Sequence, residues 1–358
     1  MKKLKAGLIG CGVISDIYLK NCQRFQSLEV VACADLEIER AQAKAEKFNI
    51  PKAYTVPELL QDNEIDIVLN LTIPAAHAEV CLSALDSGKH VYVEKPLSIS
   101  LQDAKIILDT AEQKGLYVGG APDTFLGGGL QTCLQLVEDG EIGRPVAASA
   151  FFMSGGVESW HPNPDFYYQE GGGPMFDMGP YYLTALIAMI GPVKRVTGSA
   201  QRSFAVRRTP EGREIPVEIP THISGVLDFE NGAVGTIVTS FDTFGNNLPR
   251  IEIYGERGTL SVPDPNHFGG TVRLKKMGDE TFKEVPLTHG SIENSRGIGL
   301  ADMAEAILEE RPHRANGNLL YHVLELMHAF HISSEEGTHY NVSSTTEKPA
   351  RLESIKTF

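Results

Sequence analysis

Two segments of the chain carry side chains that could move a proton to or from a bound molecule. Glu94 and Lys95 follow a short apolar run, and Asp177 and Tyr181 follow a run of glycines. On a helix, residues spaced as Asp177 and Tyr181 are would project from one face. A phenol ordinarily titrates near pH ~10, and a nearby ammonium such as that of Lys95 would stabilise the phenolate and lower this pKa. These residue types indicate acid–base chemistry on a hydroxyl group.

Each segment also has a purely structural interpretation. A Glu and a Lys at the end of a strand are consistent with a surface ion pair. Asp177 near a helix N-terminus would be favoured by the helix dipole, with Tyr181 half-buried on the same face. Pro96 restricts Lys95 to an extended backbone and makes the bond between them a candidate cis peptide. The elements around these residues must decide between the two interpretations.

The N-terminal segment LIGCGVIS predicts a dinucleotide-binding turn. An apolar run precedes it and a helical pattern follows, which is the context that a GxG sequence requires. Glycines permit a tight turn and a close approach to a pyrophosphate, and the next helix presents free N–H groups. Ser15 is small enough for the third position of the fingerprint. A glycine-rich turn that binds nothing is the alternative. The predicted contacts in this turn are Gly10, Gly12, Val13 and Ile14.

Asp35 ends the next predicted strand, about 20 residues beyond the fingerprint, where an acid is expected to bind the ribose hydroxyls. A carboxylate there favours NAD and repels the 2′-phosphate of NADP. Leu36 follows it without a cation, although Arg40 lies one helical turn further on. NAD is therefore the predicted cofactor, with NADP as the less favoured one, and Asp35 and Leu36 are predicted to contact it.

A third predicted strand ends just before Thr72, Ile73 and Pro74. The carboxyl ends of strands line the ligand crevice in a doubly wound sheet, so this backbone and the Glu94–Lys95 pair are predicted to contact the cofactor. His77 is assigned to the same contact set, with a helix-capping or solvated histidine as an equal alternative.

The pattern of elements predicts an α/β fold with two domains. Residues 1–122 alternate strands and helices, which indicates a Rossmann domain with a doubly wound parallel sheet. Residues 123–358 are predicted to form an α+β domain with an open, mainly antiparallel sheet. The predicted strands are 4–9, 28–34, 65–71, 90–93, 116–118, 147–152, 193–199, 221–229, 233–240, 250–254, 259–262 and 271–274. The predicted helices are 13–25, 36–48, 75–85, 101–113, 130–137, 175–190, 300–309 and 319–332.

Composition narrows the classes of partner. The net charge of -14 argues against nucleic acid and anionic membranes, which are polyanions. The five cysteines are scattered without a CxxC pair, so neither a zinc site nor a disulfide framework is expected, and a reducing compartment such as the cytoplasm is predicted. The apolar stretch before Cys11 is too short for a lipoprotein signal, and no run reaches the ~18 apolar residues of a membrane span.

The segments LIGCGVIS, VYVEKPLS and GGGPMFDMGPYY together resemble the glucose-fructose oxidoreductase / inositol dehydrogenase (Gfo/Idh/MocA) family. The resemblance covers most of the chain, including GKHVYVEKP and DGEIGRP. It implies a Rossmann domain, a C-terminal α/β domain whose open sheet often forms oligomer contacts, and redox chemistry on carbohydrates or cyclitols with NAD or NADP. A homodimer or homotetramer is therefore expected.

The motif residues of the family correspond to Lys95, Asp177 and Tyr181. By this resemblance Lys95 touches both the nicotinamide ribose and the reacting hydroxyl, and Tyr181 is the acid/base. Inositol-dehydrogenase-like members often carry His at the last position, so the choice of proton acceptor between Tyr181 and Lys95 stays open. Tyr182 is expected to point elsewhere.

Substrate contacts are predicted from Lys95, Asp177 and Tyr181 and from two further regions. Asp123 and Phe125 stand at the domain junction, and Trp160 and His161 lie on a long glycine-rich loop. Aromatic rings suit the C–H faces of sugars, and polar side chains suit the hydroxyls. Loop packing is the alternative for each, and His289 and Asn246 are weaker candidates.

The function predicted from these features is transfer of a hydride between NAD and a secondary hydroxyl of a sugar, glycoside or cyclitol. One alternative is a redox-neutral glycosidase or lyase that uses NAD transiently. The other is a non-catalytic dinucleotide-binding regulator, which would need no proton acceptor.

Overall fold

The computed structural model describes residues 3–353 of the chain. They divide into two compact units. The first unit runs to Leu126 and takes in Asn294–Tyr321, and the second comprises Gly127–Glu293 and the segment that begins at His322. The predicted fold class is confirmed, because one sheet is wholly parallel and the larger one is mainly antiparallel.

A six-stranded parallel sheet forms the centre of the first unit. Most of its longer strands are near-continuous apolar runs, as is usual in parallel sheets with helices on both faces. The strands are β1 (Leu4–Ile9), β2 (Leu28–Ala34), β3 (Lys52–Tyr54), β4 (Ile67–Asn70), β5 (His90–Val93) and β6 (Val118–Gly120). Their order is β3-β2-β1-β4-β5-β6. The order reverses between β1 and β4, and ligands bind at such a switch point, outside the carboxyl ends of the strands.

Five helices connect these strands: α1 (Ser15–Cys22), α2 (Ile38–Phe48), α3 (Val56–Gln61), α4 (His77–Asp86) and α5 (Leu101–Lys114). The helix predicted at residues 13–25 is shorter at both ends. Likewise, α2 begins later than predicted, because the Glu37 N–H donates to the Asp35 carboxylate and forms a turn. The short β3 and α3 were not predicted, although Thr55 and Glu58 form a capping box that marks the start of α3.

The last strand of the parallel sheet lies two residues later than its predicted position at 116–118. Gly119 and Gly120 belong to β6 because they pair with β5, and close packing around them leaves no room for a side chain. A Cβ atom on Gly120 would lie 2.4 Å from the Val93 carbonyl oxygen, and one on Gly119 would lie 2.6 Å from the His313 ring. Glycine has a low strand propensity, so this strand could not be recognised from apolar character.

The second unit begins with α6 (Gly128–Glu138) and is built on a nine-stranded sheet in which only β7 and β12 pair in parallel. The helices and strands that follow α6 are, in chain order, β7 (Pro145–Met153), α7 (Gly173–Ile190), β8 (Val193–Gln201), β9 (Val206–Arg208), β10 (Glu214–Pro216), β11 (His222–Phe229), β12 (Val234–Ser240), β13 (Ile251–Gly255), β14 (Gly258–Val262), β15 (Val272–Lys276), β16 (Lys283–Val285), α8 (Ile298–Glu309), α9 (Gly317–Glu336) and β17 (Tyr340–Asn341). Of these, α8 and the beginning of α9, up to Tyr321, belong to the first unit, and the others belong to the second.

The strand order in this sheet is β16-β15-β14-β13-β7-β12-β11-β8-β17. Strands β16 and β17 at its edges were not predicted, nor was the separate hairpin of β9 and β10. These strands have two or three residues each, too few to show an alternating pattern. The predicted loop 154–173 contains a single 3-10 turn, Asp165–Tyr168.

Across residues 3–353, no helix is both long and apolar enough to span a bilayer. The same residues hold no cluster of three or more His, Cys, Asp or Glu side chains suited to a metal ion. All five cysteines are buried free thiols.

Candidate functional site

The turn between β1 and α1 brings its first glycine against the backbone after β4. Gly10 has a φ of +100°, which glycine adopts without strain. A Cβ atom there would lie 2.7 Å from the Leu71 carbonyl oxygen and 2.8 Å from the Thr72 nitrogen. Gly12 is different, since a Cβ atom at this position would meet nothing within 4 Å. The first glycine is required by the fold, and the second leaves open space at the N-terminal end of α1.

The carboxylate of Asp35 is tied to the same turn. Its Oδ2 accepts a hydrogen bond from the Cys11 N–H at 2.7 Å, and its Oδ1 accepts one from the Glu37 N–H at 3.1 Å. The guanidinium of Arg40 forms an ion pair with Glu37, with 2.9 Å between Nη2 and Oε1. The acid therefore stands beside the glycine turn, and the neighbouring cation is bound to a different carboxylate.

Three large apolar side chains are exposed where neighbouring strands of the parallel sheet end. Val13 follows β1, Leu36 follows β2 and Ile73 follows β4, and they are 95%, 97% and 69% exposed. Exposed apolar side chains that cluster at the carboxyl ends of neighbouring strands mark a binding surface. Together with the space at Gly12 and the carboxylate of Asp35, they fit a dinucleotide, which has flat rings, a pyrophosphate and ribose hydroxyls.

The turn after β5 carries the predicted Glu94–Lys95–Pro96 group. The Lys95–Pro96 peptide bond is cis, as the proline indicated. Glu94 Oε1 accepts a hydrogen bond from the Tyr18 hydroxyl at 2.7 Å, and its Oε2 accepts one from the Lys95 N–H at 2.9 Å. Burial and the Glu94 carboxylate raise the pKa of Tyr18, so its phenol stays a neutral donor. Glu94 therefore links α1 to the backbone of the half-buried Lys95.

The segment after β4 contains two different kinds of residue. Thr72, Ile73 and Pro74 are half-buried or exposed at the surface. The Thr72 hydroxyl donates a hydrogen bond to Asn70 Oδ1 at 2.7 Å. His77, in contrast, is 0% exposed, and both of its ring nitrogens face carbonyl oxygens of the protein. The imidazole is directed into the fold, so neither the capping nor the solvated interpretation describes it.

In the second unit, α7 is buried along nearly its whole length. Asp177 is the single residue of α7 that is not buried, and Tyr181, one turn later, is 7% exposed. Tyr182 is fully buried, with its ring centroid 6.1 Å from that of Phe152. An ionisable group on a buried helix is costly unless it is paired or used. Asp177 and Tyr181 thus mark the place on α7 where polar chemistry is available.

The loop before α7 presents an aromatic cluster, which consists of Trp160, His161, Phe166 and Tyr167. The ring centroid of His161 lies 5.5 Å from those of Trp160 and Phe166 and 5.1 Å from that of Tyr167. Trp160 and Phe166 are 66% and 47% exposed. The rings hold one another while two of them remain open to solvent, an arrangement that suits contact with an amphipathic small molecule.

A buried guanidinium, not singled out from the sequence, anchors this loop. Arg207 of β9 donates from Nε to Glu158 Oε1 at 2.8 Å and from Nη1 to Asp242 Oδ1 at 3.2 Å. Its Nη2 donates to the carbonyl oxygens of Gly155 and Phe241. Glu158 stands two residues before Trp160, so the ion pair fixes the start of the aromatic cluster. We call Arg207, Glu158 and Asp242 the arginine hub.

Asp123 and Phe125 are each 1% exposed. The Asp123 carboxylate accepts hydrogen bonds from the N–H groups of Gly297 and Gly299 at 2.8 and 3.0 Å, at the start of α8. Burial raises the pKa of Asp123 to about 6 in spite of these bonds. Both residues therefore have structural roles here, and their predicted contact with a substrate stays a prediction.

Two weaker candidates lie elsewhere in the second unit. His289 is buried and bonded through Nε2 to the Leu352 carbonyl oxygen at 3.1 Å. Asn246 is exposed, and its Oδ1 accepts a hydrogen bond from the Leu248 N–H.

Comparison with known proteins extends these observations. The chain is 26% identical to a myo-inositol 2-dehydrogenase of Thermotoga maritima over 72% of its length and 74% of that protein. It is 30% identical to a D-xylose 1-dehydrogenase (NADP(+)) of Haloferax volcanii, over 63% of this chain and 65% of that one. A levoglucosan dehydrogenase solved with NADH and L-sorbose shares the fold, with a TM-score of 0.83, 20% identity and coverage of 96% of this chain and 100% of that chain.

Two domain families match separate parts of the chain. Residues 4–120 match the oxidoreductase family described as an NAD-binding Rossmann fold, and residues 130–261 match the GFO/IDH/MocA C-terminal domain. The family that the three sequence segments resembled is thereby confirmed. The chain belongs to the GFO/IDH/MocA family of oxidoreductases, with an NAD-binding Rossmann fold in its N-terminal part.

Proposed function

We propose that the protein is an NAD-dependent oxidoreductase that transfers a hydride to or from a secondary hydroxyl of a sugar, glycoside or cyclitol. Relatives named for inositol and D-xylose oxidation support this substrate class. The observation that carries the proposal is the Lys95 turn. A half-buried lysine at the carboxyl end of β5, with its backbone held by Glu94, has the rigidity that proton transfer needs.

We propose NAD rather than NADP because of the charges around Asp35. The Asp35 carboxylate next to the glycine turn would repel a 2′-phosphate, and the guanidinium of Arg40 is already paired with Glu37. Gly10, Gly12, Val13 and Ile14 would hold the dinucleotide, together with Leu36, Thr72, Ile73 and Pro74. When bound, the nicotinamide supplies the hydride acceptor.

The protein side chains supply the proton chemistry in this proposal. Tyr181 acts as a phenolate, which the Lys95 ammonium stabilises, and it becomes a neutral phenol when it accepts the proton of the substrate hydroxyl. Asp177 accepts a hydrogen bond from a substrate hydroxyl and thereby sets the orientation of the ring. Trp160 and His161 are proposed to contact the sugar face and its hydroxyls.

The test is a double-mutant cycle on substrates found by a screen of inositols, aldoses and glycosides with NAD and NADP. Lys95→Met and Tyr181→Phe should each lower kcat by ~10²–10⁴-fold, whereas NADH binding, followed by fluorescence, stays nearly intact. The double variant should be little worse than either single one, because residues that act as a unit are not additive.

Lys105→Met is the matched control for removal of a lysine. Lys105 lies on the surface of α5 in an ion pair with Asp109, so its loss should leave kcat unchanged. Wild-type turnover in Lys95→Met, or fully additive losses in the double variant, would exclude the proposed pair.

The same assays separate the alternative functions. A redox-neutral glycosidase or lyase would form product without net accumulation of NADH, and a regulator would bind NADH without turnover of any substrate.

We also propose a cytoplasmic homodimer or homotetramer, whose mass can be measured by light scattering.

A further inference from the structure

His77 is the first residue of α4 and an ionisable group enclosed next to the Lys95 turn. It is 0% exposed. Its Nδ1 lies 2.6 Å from the carbonyl oxygen of Pro96, and its Nε2 lies 3.1 Å from that of Thr72. These two carbonyl groups belong to the turns after β5 and β4. One side chain therefore contacts both the turn that carries Lys95 and the turn after the neighbouring strand β4.

The chemistry of the ring decides to which of the two carbonyl groups it can donate a hydrogen bond. Carbonyl oxygens only accept hydrogen bonds, and a neutral imidazole carries a single N–H. Burial lowers the pKa of His77, although Glu94 and the two carbonyl groups favour the charged form. A neutral ring must place its proton on one nitrogen, and the shorter contact, at Nδ1, is the better hydrogen bond.

The Lys95 turn is then held from both sides. On one side the Tyr18 hydroxyl of α1 binds Glu94, whose second oxygen accepts the Lys95 N–H. On the other side the His77 ring binds the carbonyl group of Pro96, the residue that follows Lys95. The backbone of Lys95 is thus flanked by two anchors from different helices.

We propose that His77 is a positioning residue, which donates from Nδ1 to the Pro96 carbonyl and so sets the direction of the Lys95 side chain. The inference rests on the proposed role of Lys95 in proton transfer. It assigns His77 no contact with substrate or cofactor, which differs from the contact expected from the sequence.

Two substitutions distinguish the ring nitrogens. In His77→Asn the amide nitrogen is separated from Cα by the same number of bonds as Nδ1, and in His77→Gln by the same number as Nε2. His77→Asn should retain most of the turnover. His77→Gln should lower kcat by ~10²-fold, because a displacement of about 1 Å at a reacting group has that effect, whereas the Kd for NADH should change little.

His90→Gln is the matched control. His90 begins the same strand that leads to Lys95, and its Nδ1 accepts the Tyr117 N–H at 2.9 Å at the opposite end. Loss of this half-buried imidazole bond should lower stability without lowering kcat. If His77→Gln and His90→Gln affect stability equally but only the former lowers kcat, a merely structural role for His77 is excluded.

NMR detection of the proton on the His77 ring completes the test. The ¹⁵N chemical shifts of the His77 ring in the wild-type protein report which nitrogen is protonated, and we expect the proton on Nδ1. A proton on Nε2 would overturn the inference, as would equal kcat losses in the Asn and Gln variants or wild-type kcat in both. Lys95→Met is measured in parallel, because wild-type turnover in that variant contradicts the proposed function instead.

Discussion

The turns at the carboxyl ends of the parallel strands and the aromatic loop are held in place by different interactions. At the carboxyl ends of the strands, backbone N–H groups donate hydrogen bonds to the carboxylates of Glu94 and Asp35, and the His77 ring contacts a backbone carbonyl group. Gly10 also packs closely against the backbone after the neighbouring strand. The aromatic loop is anchored instead by the arginine hub, where one guanidinium meets two carboxylates in a buried place. The first arrangement fixes turns that directly follow strands of a regular sheet, whereas the second fixes a segment that has little regular structure.

This contrast bears on how each region would fail. A regular sheet shares its stability among many backbone bonds, so the loss of one side chain shifts a turn without unfolding it. The loop depends on a few charged groups, and a buried charge that loses its partner is strongly destabilising. We expect the loop region to be the more sensitive to single substitutions, and the turns at the carboxyl ends of the strands to show their changes in binding and turnover.

The largest loss of stability is expected from Arg207→Met. This change leaves Glu158 and Asp242 buried without their guanidinium, which typically costs about 3–5 kcal/mol. The free energy of unfolding can be measured by denaturant titration. Restoring part of the loss by adding Glu158→Gln and Asp242→Asn would locate the effect in the hub.

Arg213→Met provides the matched control for the hub. Arg213 pairs with Asp165 in the same loop region, but both side chains are about half exposed, so the expected cost is ~0–1 kcal/mol. Equal losses in the two arginine variants would contradict the idea that burial gives the hub its importance.

The two glycines of the dinucleotide turn should respond in opposite ways. Gly10→Ala forces a Cβ atom against backbone at a φ of +100° and should cost about 2–4 kcal/mol of stability. Gly12→Ala meets open space, so it should change stability by less than ~0.5 kcal/mol and weaken NADH binding. Titration with NADH and thermal unfolding measure the two effects. If Gly12→Ala unfolds the protein, the dinucleotide turn is no more tolerant of single substitutions than the aromatic loop.

Asp123 provides a comparison with the arginine hub, because backbone N–H groups rather than a guanidinium bind its carboxylate. Its pKa is raised to about 6 from 3.8, so the folded protein binds this proton more tightly than the unfolded chain. Stability relative to Asp123→Asn is therefore fully present below the unfolded pKa and is lost as the pH rises through about 6. The difference in free energy of unfolding should fall by up to about 3 kcal/mol between pH ~4 and ~7. A constant or rising difference would contradict the raised pKa.

A smaller effect, on cofactor preference rather than on stability, is expected at Asp35. Asp35→Asn keeps an oxygen that can accept a hydrogen bond from the Cys11 N–H but removes the charge that would repel a 2′-phosphate. The ratio of kcat/KM for NADP to that for NAD should rise about tenfold, or ~1.4 kcal/mol. Glu37→Gln, which frees Arg40 without changing Asp35, separates the effect of the cation. If the ratio is unchanged in both variants, the charges of Asp35 and Arg40 do not determine a preference for NAD.

Much of the first unit could be predicted because buried parallel strands are recognisable as apolar runs. Strands β2 and β5 have the bounds that the sequence indicated. The glycine strand β6 was misplaced, since its residues are selected by close packing rather than by strand propensity. The hairpin of β9 and β10 was missed because three-residue strands show no period, and with it went Arg207.

The residues that could do chemistry were visible as local motifs, and so was the family to which the chain belongs. Short segments such as Gly10–Gly12 and Glu94–Pro96 carry their meaning in residue type and spacing, which require no knowledge of distant contacts. Only the tertiary structure showed what surrounds them. Asp123 binds backbone 174 positions away, and Arg207 binds Glu158 49 positions away. His77 joins the ends of two strands, which are neighbours in the sheet. Such partners are set by the path of the chain through space, because hydrogen bonds and ion pairs depend on distance and not on sequence separation.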